Sequence, residues 1–214
     1  MNTADLKPSL ARYLAALNLE LSPERQARLL AYVGLLAKWN RAYNLTAIRE
    51  PEQMLLLHIA DSLAVLPHLP AGHYADVGSG PGIPAIPLAI ASPDLRFTTV
   101  DSAGKKIRFQ VQACHELGLT TVEPVHGRVE ELSGRRFDGV VSRAFASLRD
   151  MLTWCGHVSD TFYAMKGKRP DEEIADLPPG YWVDEVIPLS LPDPSLERHL
   201  LIIRRDSSTE TSHG

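Results

Sequence analysis

Apolar positions recur at helical spacing through residues 1–70, then give way to short runs separated by turn residues. Ser22-Pro23-Glu24 reads as a helix start, with serine as N-cap, proline in the first turn and an acid near the positive end. Leu29, Leu30, Val33, Leu36 and Ala37 then share one helix face. A further helix is predicted from Pro51, with Leu55, Leu56, Ile59, Ser62, Leu63 and Leu66 turned inward, until Pro67 and Pro70 end it. Beyond residue 73 the pattern predicts strands over 73–77, 96–101, 121–125, 137–143, 161–166, 182–191 and 199–205. Helical runs are predicted over 85–91, 105–117 and 148–157, with a short one after Pro170. Strand and helix in alternation imply a mostly parallel sheet covered on both faces. The last two strands, joined through Pro192 and Pro194, read as an antiparallel hairpin closing it. The chain divides into a helical extension (1–70), an α/β domain (71–206) and a polar tail (207–214) expected to be disordered.

The strongest local signal is Asp76-Val77-Gly78-Ser79-Gly80-Pro81-Gly82-Ile83-Pro84, placed where the first strand turns into a helix. Glycines there let the backbone adopt positive φ and approach a ligand closely. Asp101 ends the next strand, 23 residues after Gly78, a spacing suited to a carboxylate accepting from ribose hydroxyls. Charge separates the nucleotide ligands. A dinucleotide places its diphosphate at the helix N-terminus, but the third glycine of GxGxxG would fall on Ile83, and Asp76 would repel the anion. The same carboxylate suits the ammonium group of S-adenosylmethionine (SAM), so the loop favours SAM over NAD. Seven strands with a terminal hairpin resemble the Rossmann-like architecture of class I SAM-dependent methyltransferases.

The remaining pocket is expected at the tips of later strands. Ile83 and Val129 offer apolar walls for the adenine ring. Glu130 and Glu131 are either adenine partners or a pair of acids favoured by a helix start. Arg143, at the tip of a central strand, either faces the ligand cleft or serves a structural ion pair. Lys166, Lys168 and Arg169 form a basic knot past the fifth strand, as phosphate contacts or as ordinary solvated charge. His58 and Asp61 form an i,i+3 pair on a helix, structural or RNA-positioning. Asn40, Arg41 and Asn44 offer polar contacts near the helical extension, and Trp39 reads as core.

Several segments together resemble the glucose-inhibited division protein B family of small-subunit ribosomal RNA guanine-N7 methyltransferases. They are Trp39-Asn40 with Tyr43-Asn44-Leu45-Thr46, His58-Ile59-Ala60-Asp61-Ser62, 76–84, Asp101-Ser102 with Gly104-Lys105-Lys106, Arg128-Val129-Glu130, Ser142-Arg143-Ala144-Phe145 and Lys166-Gly167. The match runs over about residues 35–205. The resemblance implies methyl transfer from SAM to N7 of a guanine in 16S ribosomal RNA near the decoding site; the partner is expected to be that RNA, within the small subunit or naked. It implies cofactor contacts at Gly78, Ile83, Val129, Glu130 and Arg143, with Asp101 in the ribose position; Asp76 and Gly80 complete the expected set. Guanine N7 has a lone pair and no proton, so no general base is expected. Arg143 is the catalytic candidate, as an acceptor-positioning residue; Lys166, Lys168, Arg169, Asn44 and His58 are the RNA candidates.

Composition adds limits. Net charge is −4, and residues 151–214 hold 6 Lys/Arg against 11 Asp/Glu, so any RNA contact is local. Cys114 and Cys155 lack metal or redox spacing and read as buried thiols of a reducing compartment. No apolar run reaches membrane-spanning length and no signal peptide is visible. The expectation is a cytoplasmic monomer with no metal and no membrane contact. A SAM-dependent methyltransferase of a small molecule or protein shares the same cofactor pocket. A non-enzymatic SAM-binding assembly factor and an NAD-dependent oxidoreductase are the other readings.

Overall fold

In the computed structural model, which describes residues 3–143 and 145–206, one sheet carries the molecule. Its strands are β1 (Gly72–Val77), β2 (Leu95–Asp101), β3 (Val122–His126), β4 (Gly139–Ser142), β5 (Thr161–Lys166), β6 (Tyr181–Pro188) and β7 (His199–Arg205). They lie in the order β3-β2-β1-β4-β5-β7-β6. The pairs among β1 to β5 are parallel, and β7 runs antiparallel to both β5 and β6. This is the expected mostly parallel sheet with a C-terminal hairpin. The polar 207–214 segment lies outside the described residues.

Alternation along the strands sorts side chains into two cores. Tyr74, Tyr163, Met165 and Leu200 pack on one face, and Ala75, Phe162, Ala164, Leu201 and Ile203 on the other. The first face is covered by α5 (Ala85–Ala91), α6 (Gly104–Leu117) and the N-terminal helices, the second by α7 (Leu148–Cys155). The strand predicted over 137–143 starts only at Gly139. Before it, the Phe137 N–H is bonded to the Val158 carbonyl, and Asp138 accepts from His73 N–H. Gly139 is required by close approach, since a Cβ there would stand 2.9 Å from ring carbons of Tyr74 and 2.8 Å from Tyr163. The strand predicted over 182–191 ends at Pro188, ahead of the turn through Pro192 and Pro194.

The helical segment, described from residue 3 to 70, packs into the first core rather than standing apart. α1 (Lys7–Ala16) precedes α2 (Pro23–Tyr43), whose first turn is capped by Ser22 Oγ accepting from Arg25 N–H at 3.3 Å. α2 closes at Asn44, in the left-handed region at φ 48°. It lies on α5 and α6. Arg25 donates to the Ala91 carbonyl and Tyr32 Oη to the Pro81 carbonyl, both at 2.9 Å. The second predicted helix is not uniform: α3 (Pro51–Met54) continues as a π-helical stretch, Leu55–Ala60, and ends in α4 (Asp61–Leu63). Such widened turns are frequent at functional sites, and this one carries His58.

Chain progression reverses direction between β1 and β4. Open α/β sheets bind ligands outside the strand C-termini at that switch.

Candidate functional site

The glycine-rich turn after β1 is built as its composition requires. Gly78, Gly80 and Gly82 take φ of 70°, 59° and 91°. Its backbone is held from three sides. Gly78 N–H and Ser79 N–H donate to the Val100 carbonyl at 2.9 and 3.2 Å. Gly80 N–H donates to Asp101 Oδ2 at 2.9 Å. Fully buried Gln110 donates to Ser79 Oγ and the Gly80 carbonyl at 2.9 and 2.7 Å, and accepts from Thr99 Oγ1. The Tyr32 bond to Pro81 ties the helical extension to the same turn.

Beside this turn opens a cleft of about 430 Å³. Gly78 and Asp101 form one side, Gly127, Arg128, Val129 and Glu130 another, and Phe145 with Trp154 a third. Val129–Glu131 forms a single 3₁₀ turn, in which Glu131 accepts from Arg128 N–H as a helix-start acid while Glu130 lines the cleft. Asp101, besides Gly80, accepts from Ala103 N–H at 2.8 Å and faces Lys106 Nζ at 3.5 Å. Ile83 is buried in the first core behind the turn rather than in the cleft wall.

Asp76 lies beneath the turn, 1 % exposed. Its Oδ2 accepts from Ala85 N–H at 3.1 Å, and its Oδ1 has no hydrogen-bond partner among the described residues. Burial pushes its carboxyl up to about 7, against which the Ala85 N–H and the Arg143 charge act. A buried carboxylate oxygen without a donor is costly. A negative charge there would repel a diphosphate and attract a cation.

Arg143 stands just past β4 and lines a second cavity. Its Nη1 donates to the Leu57 carbonyl at 2.9 Å and to Asp61 Oδ2 at 2.8 Å, and its Nη2 faces His58 Nδ1 at 3.2 Å. His58 Nε2 faces Thr46 Oγ1 at 3.0 Å, and Asn40 holds that loop by accepting from Thr46 N–H and donating to the Ile48 carbonyl. Burial first, and the Arg143 charge second, lower His58 to about 4. A neutral ring whose Nδ1 accepts from a guanidinium leaves no free nitrogen for proton abstraction. Burial likewise pushes the Cys114 and Cys155 thiols up to about 11 and about 12, so neither is a ready thiolate.

The basic knot after β5 is dispersed. Lys166 Nζ donates to Glu173 Oε2 at 2.8 Å and to the Phe145 carbonyl at 3.4 Å. Arg169 pairs with Asp171 at 2.6 Å, and Lys168 is exposed. Asn44 is exposed, its carbonyl facing Lys105 Nζ at 3.5 Å. Trp39 is partly buried against Phe109 and Tyr43, as core packing requires.

Sequence reasoning missed Gln110, Trp154 and Arg198. Gln110 and Trp154 lie on helices whose register carries no sign of the turn or cleft they meet. Arg198 sits in a loop 137 residues from its partner Asp61.

Comparison with known proteins agrees with this geometry. The family model described as rRNA small subunit methyltransferase G matches residues 25–201. A Ribosomal RNA small subunit methyltransferase G of Serratia proteamaculans (strain 568) is 52% identical over 204 residues, covering 93% of this chain and 99% of that protein. One of the same name from Shewanella sp. (strain MR-7) is 50% identical over 205 residues, covering 94% and 100%. Among solved structures, a SAM dependent methyltransferase from Aquifex aeolicus shares the fold, with TM-score 0.54 and 16% identity over 71% of this chain and 93% of its own.

Proposed function

The chain belongs to the rRNA small subunit methyltransferase G family and is a SAM-dependent ribosomal RNA methyltransferase; we propose that it methylates N7 of a guanine in 16S rRNA near the decoding site. The observation that carries the cofactor half of this reading is the unpartnered, buried Oδ1 of Asp76 under the glycine-rich turn. When bound, SAM supplies a methyl group on a positively charged sulfur, electrophilic without further activation. Asp76 takes its ammonium group, Asp101 the ribose hydroxyls through lone pairs not used by Gly80 and Ala103, and Val129 with Glu130 the adenine end. Gly78 keeps the wall of the cleft thin enough for close approach, and Gly80 lets the turn behind it fold back on Asp101.

The residues beside the cleft supply alignment rather than proton transfer. N7 carries no proton to remove, and His58 is neutral with both ring nitrogens engaged. Positioning alone is worth roughly 7–11 kcal/mol of barrier, more than the factor of about 10²–10⁴ a general base contributes. Arg143 and the rigid turn are therefore read as the parts that fix the acceptor, with Lys166, Lys168, Arg169, Asn44 and His58 toward the RNA. No helix among the described residues is long and apolar enough to cross a membrane. With ribosomal RNA as substrate we place the protein in the cytoplasm, acting as a monomer on the small subunit without a metal.

Tritium transfer from labelled SAM to small subunits lacking the modification tests the function, with naked 16S rRNA and no-acceptor controls. Label in RNA, with borohydride/aniline cleavage at one guanine, is the expected result. SAM binding without label in any RNA would overturn it.

Asp76 makes affinity pH-dependent. An ammonium ligand favours the ionised carboxylate, so binding draws a proton off Asp76 wherever the free protein holds one, which is below about pH 7. The dissociation constant of SAM is expected to rise about tenfold per unit as pH falls from 7 to 5. Asp76→Asn should bind weakly and lose that slope. Calorimetry showing a flat wild-type profile would remove Asp76 from the ammonium role.

A further inference from the structure

The second cavity, about 390 Å³ at the tips of β4 and β5, is lined by Leu57, His58, Asp61, Arg143, Lys166 and Arg198 among others. Its base is Asp61, 1 % exposed. Arg143 Nη1 donates to Asp61 Oδ2 and Arg198 Nε to Asp61 Oδ1, each at 2.8 Å. One buried carboxylate thus holds two guanidinium groups from distant parts of the chain, one after β4 and one in the β6–β7 connection. Two cations against one anion leave a positive charge over. The arginine side chains are 29% and 26% exposed, so the charge reaches the cavity.

The hydrogen-bond inventory identifies what fits. Each guanidinium carries five N–H donors. Arg143 commits some of its donors to Leu57, Asp61 and His58, and Arg198 some to Asp61 and the Glu197 carbonyl. N–H groups of both remain for a ligand. The acceptors are withdrawn: Asp61 is 1 % exposed with each oxygen bonded to an arginine, and both His58 nitrogens are engaged. Lys166 is matched by Glu173. The cavity therefore presents donors and positive charge. The Watson–Crick edge of guanine brings its own N1–H and amino donors to a cavity whose accessible charged side chains are themselves donors. A phosphodiester, all acceptors and negative, finds what it needs.

We propose that this cavity seats a backbone phosphate of the RNA acceptor, gripped by Arg143 and Arg198, with Asp61 as the residue that positions both. The assignment rests on the ribosomal RNA reading above and goes beyond it by bringing in Arg198 and Asp61. Arg143 links the two cavities, since its charge also acts on Asp76 beneath the cofactor turn.

The test compares wild type with Arg198→Gln, Arg198→Lys and Asp61→Asn. It uses KM and kcat on unmodified small subunits, salt dependence of binding to 16S rRNA, and calorimetry with SAM. Arg198→Gln is expected to raise KM for RNA about tenfold. It should lower the log–log salt slope by about one and leave SAM affinity unchanged. Arg198→Lys should restore the slope but not the full KM, because an ammonium is not a fork. Asp61→Asn keeps both cations but frees them, so kcat should fall while the salt slope stays or steepens. Wild-type KM and slope in Arg198→Gln would overturn the phosphate site. So would a loss of SAM affinity, which would assign the cavity to the cofactor. Wild-type kcat in Asp61→Asn would overturn the positioning role. A wild-type enzyme that labels no RNA fails the functional reading itself and this inference with it; label in wild type with unaltered variants overturns this inference alone.

Discussion

Replacing Arg143 by alanine is expected to lower kcat on small ribosomal subunits by about 10²–10³-fold, the range seen when one preorganised electrostatic donor is removed from an active site. Arg143 ties together the Leu57 carbonyl, Asp61 and His58 on one side, and its charge bears on Asp76 on the other. Its loss disconnects the cofactor turn from the acceptor cavity. The fold should survive. Asp61 keeps Arg198, so the buried carboxylate is not left bare. The cost should lie near 2 kcal/mol, between the values for exposed pairs and for a fully broken buried pair. That corresponds to a melting temperature lower by about 4–8 °C in a chain of this size. Arg143→Lys should rescue poorly, because one ammonium cannot serve Asp61 and His58 in a fixed fork. Normal turnover by a folded Arg143→Ala protein would take the residue out of the reaction.

The second large effect is expected at Asp101. Its carboxylate holds Gly80 N–H and Ala103 N–H and lines the cofactor cleft, so alanine removes the ribose acceptor and loosens the turn together. Two charge-assisted hydrogen bonds lost to a ligand correspond to at least about 10²-fold in SAM affinity. kcat at saturating SAM should change far less, since the acceptor cavity is untouched. Asp101→Asn retains one acceptor oxygen and should fall between. Equal SAM affinity in wild type and Asp101→Ala would show that the carboxylate serves only the turn. A kcat loss at saturating SAM as large as the affinity loss would show that turn geometry reaches the acceptor side.

How much of this was legible in the chain depends on how local each feature is. The Ser22 cap, the three glycines at positive φ and the acids closing β1 and β2 are contiguous signals. Each follows from the conformational limits of a few neighbouring residues. The strand and helix alternation is equally local, because burial on both faces demands continuous apolar strands and helices to cover them. These determined the α/β sheet, the hairpin at its end and the nature of the cofactor.

Tertiary structure decided which charges serve the site. Lys166 looked free in a basic knot, but folding sets Glu173 against it. His58 and Asp61 read as an i,i+3 helix pair, structural or RNA-positioning; in the fold both are buried, one in the π-helical stretch and one just after it, and both meet Arg143. Gln110 grips the glycine-rich turn from α6, Trp154 walls the cleft from α7, and Arg198 reaches Asp61 across 137 residues. No spacing in the chain encodes such meetings. Local conformation is set by neighbours in sequence, whereas the partner of a buried charge is set by which helix face and which loop the closed core brings to the strand tips.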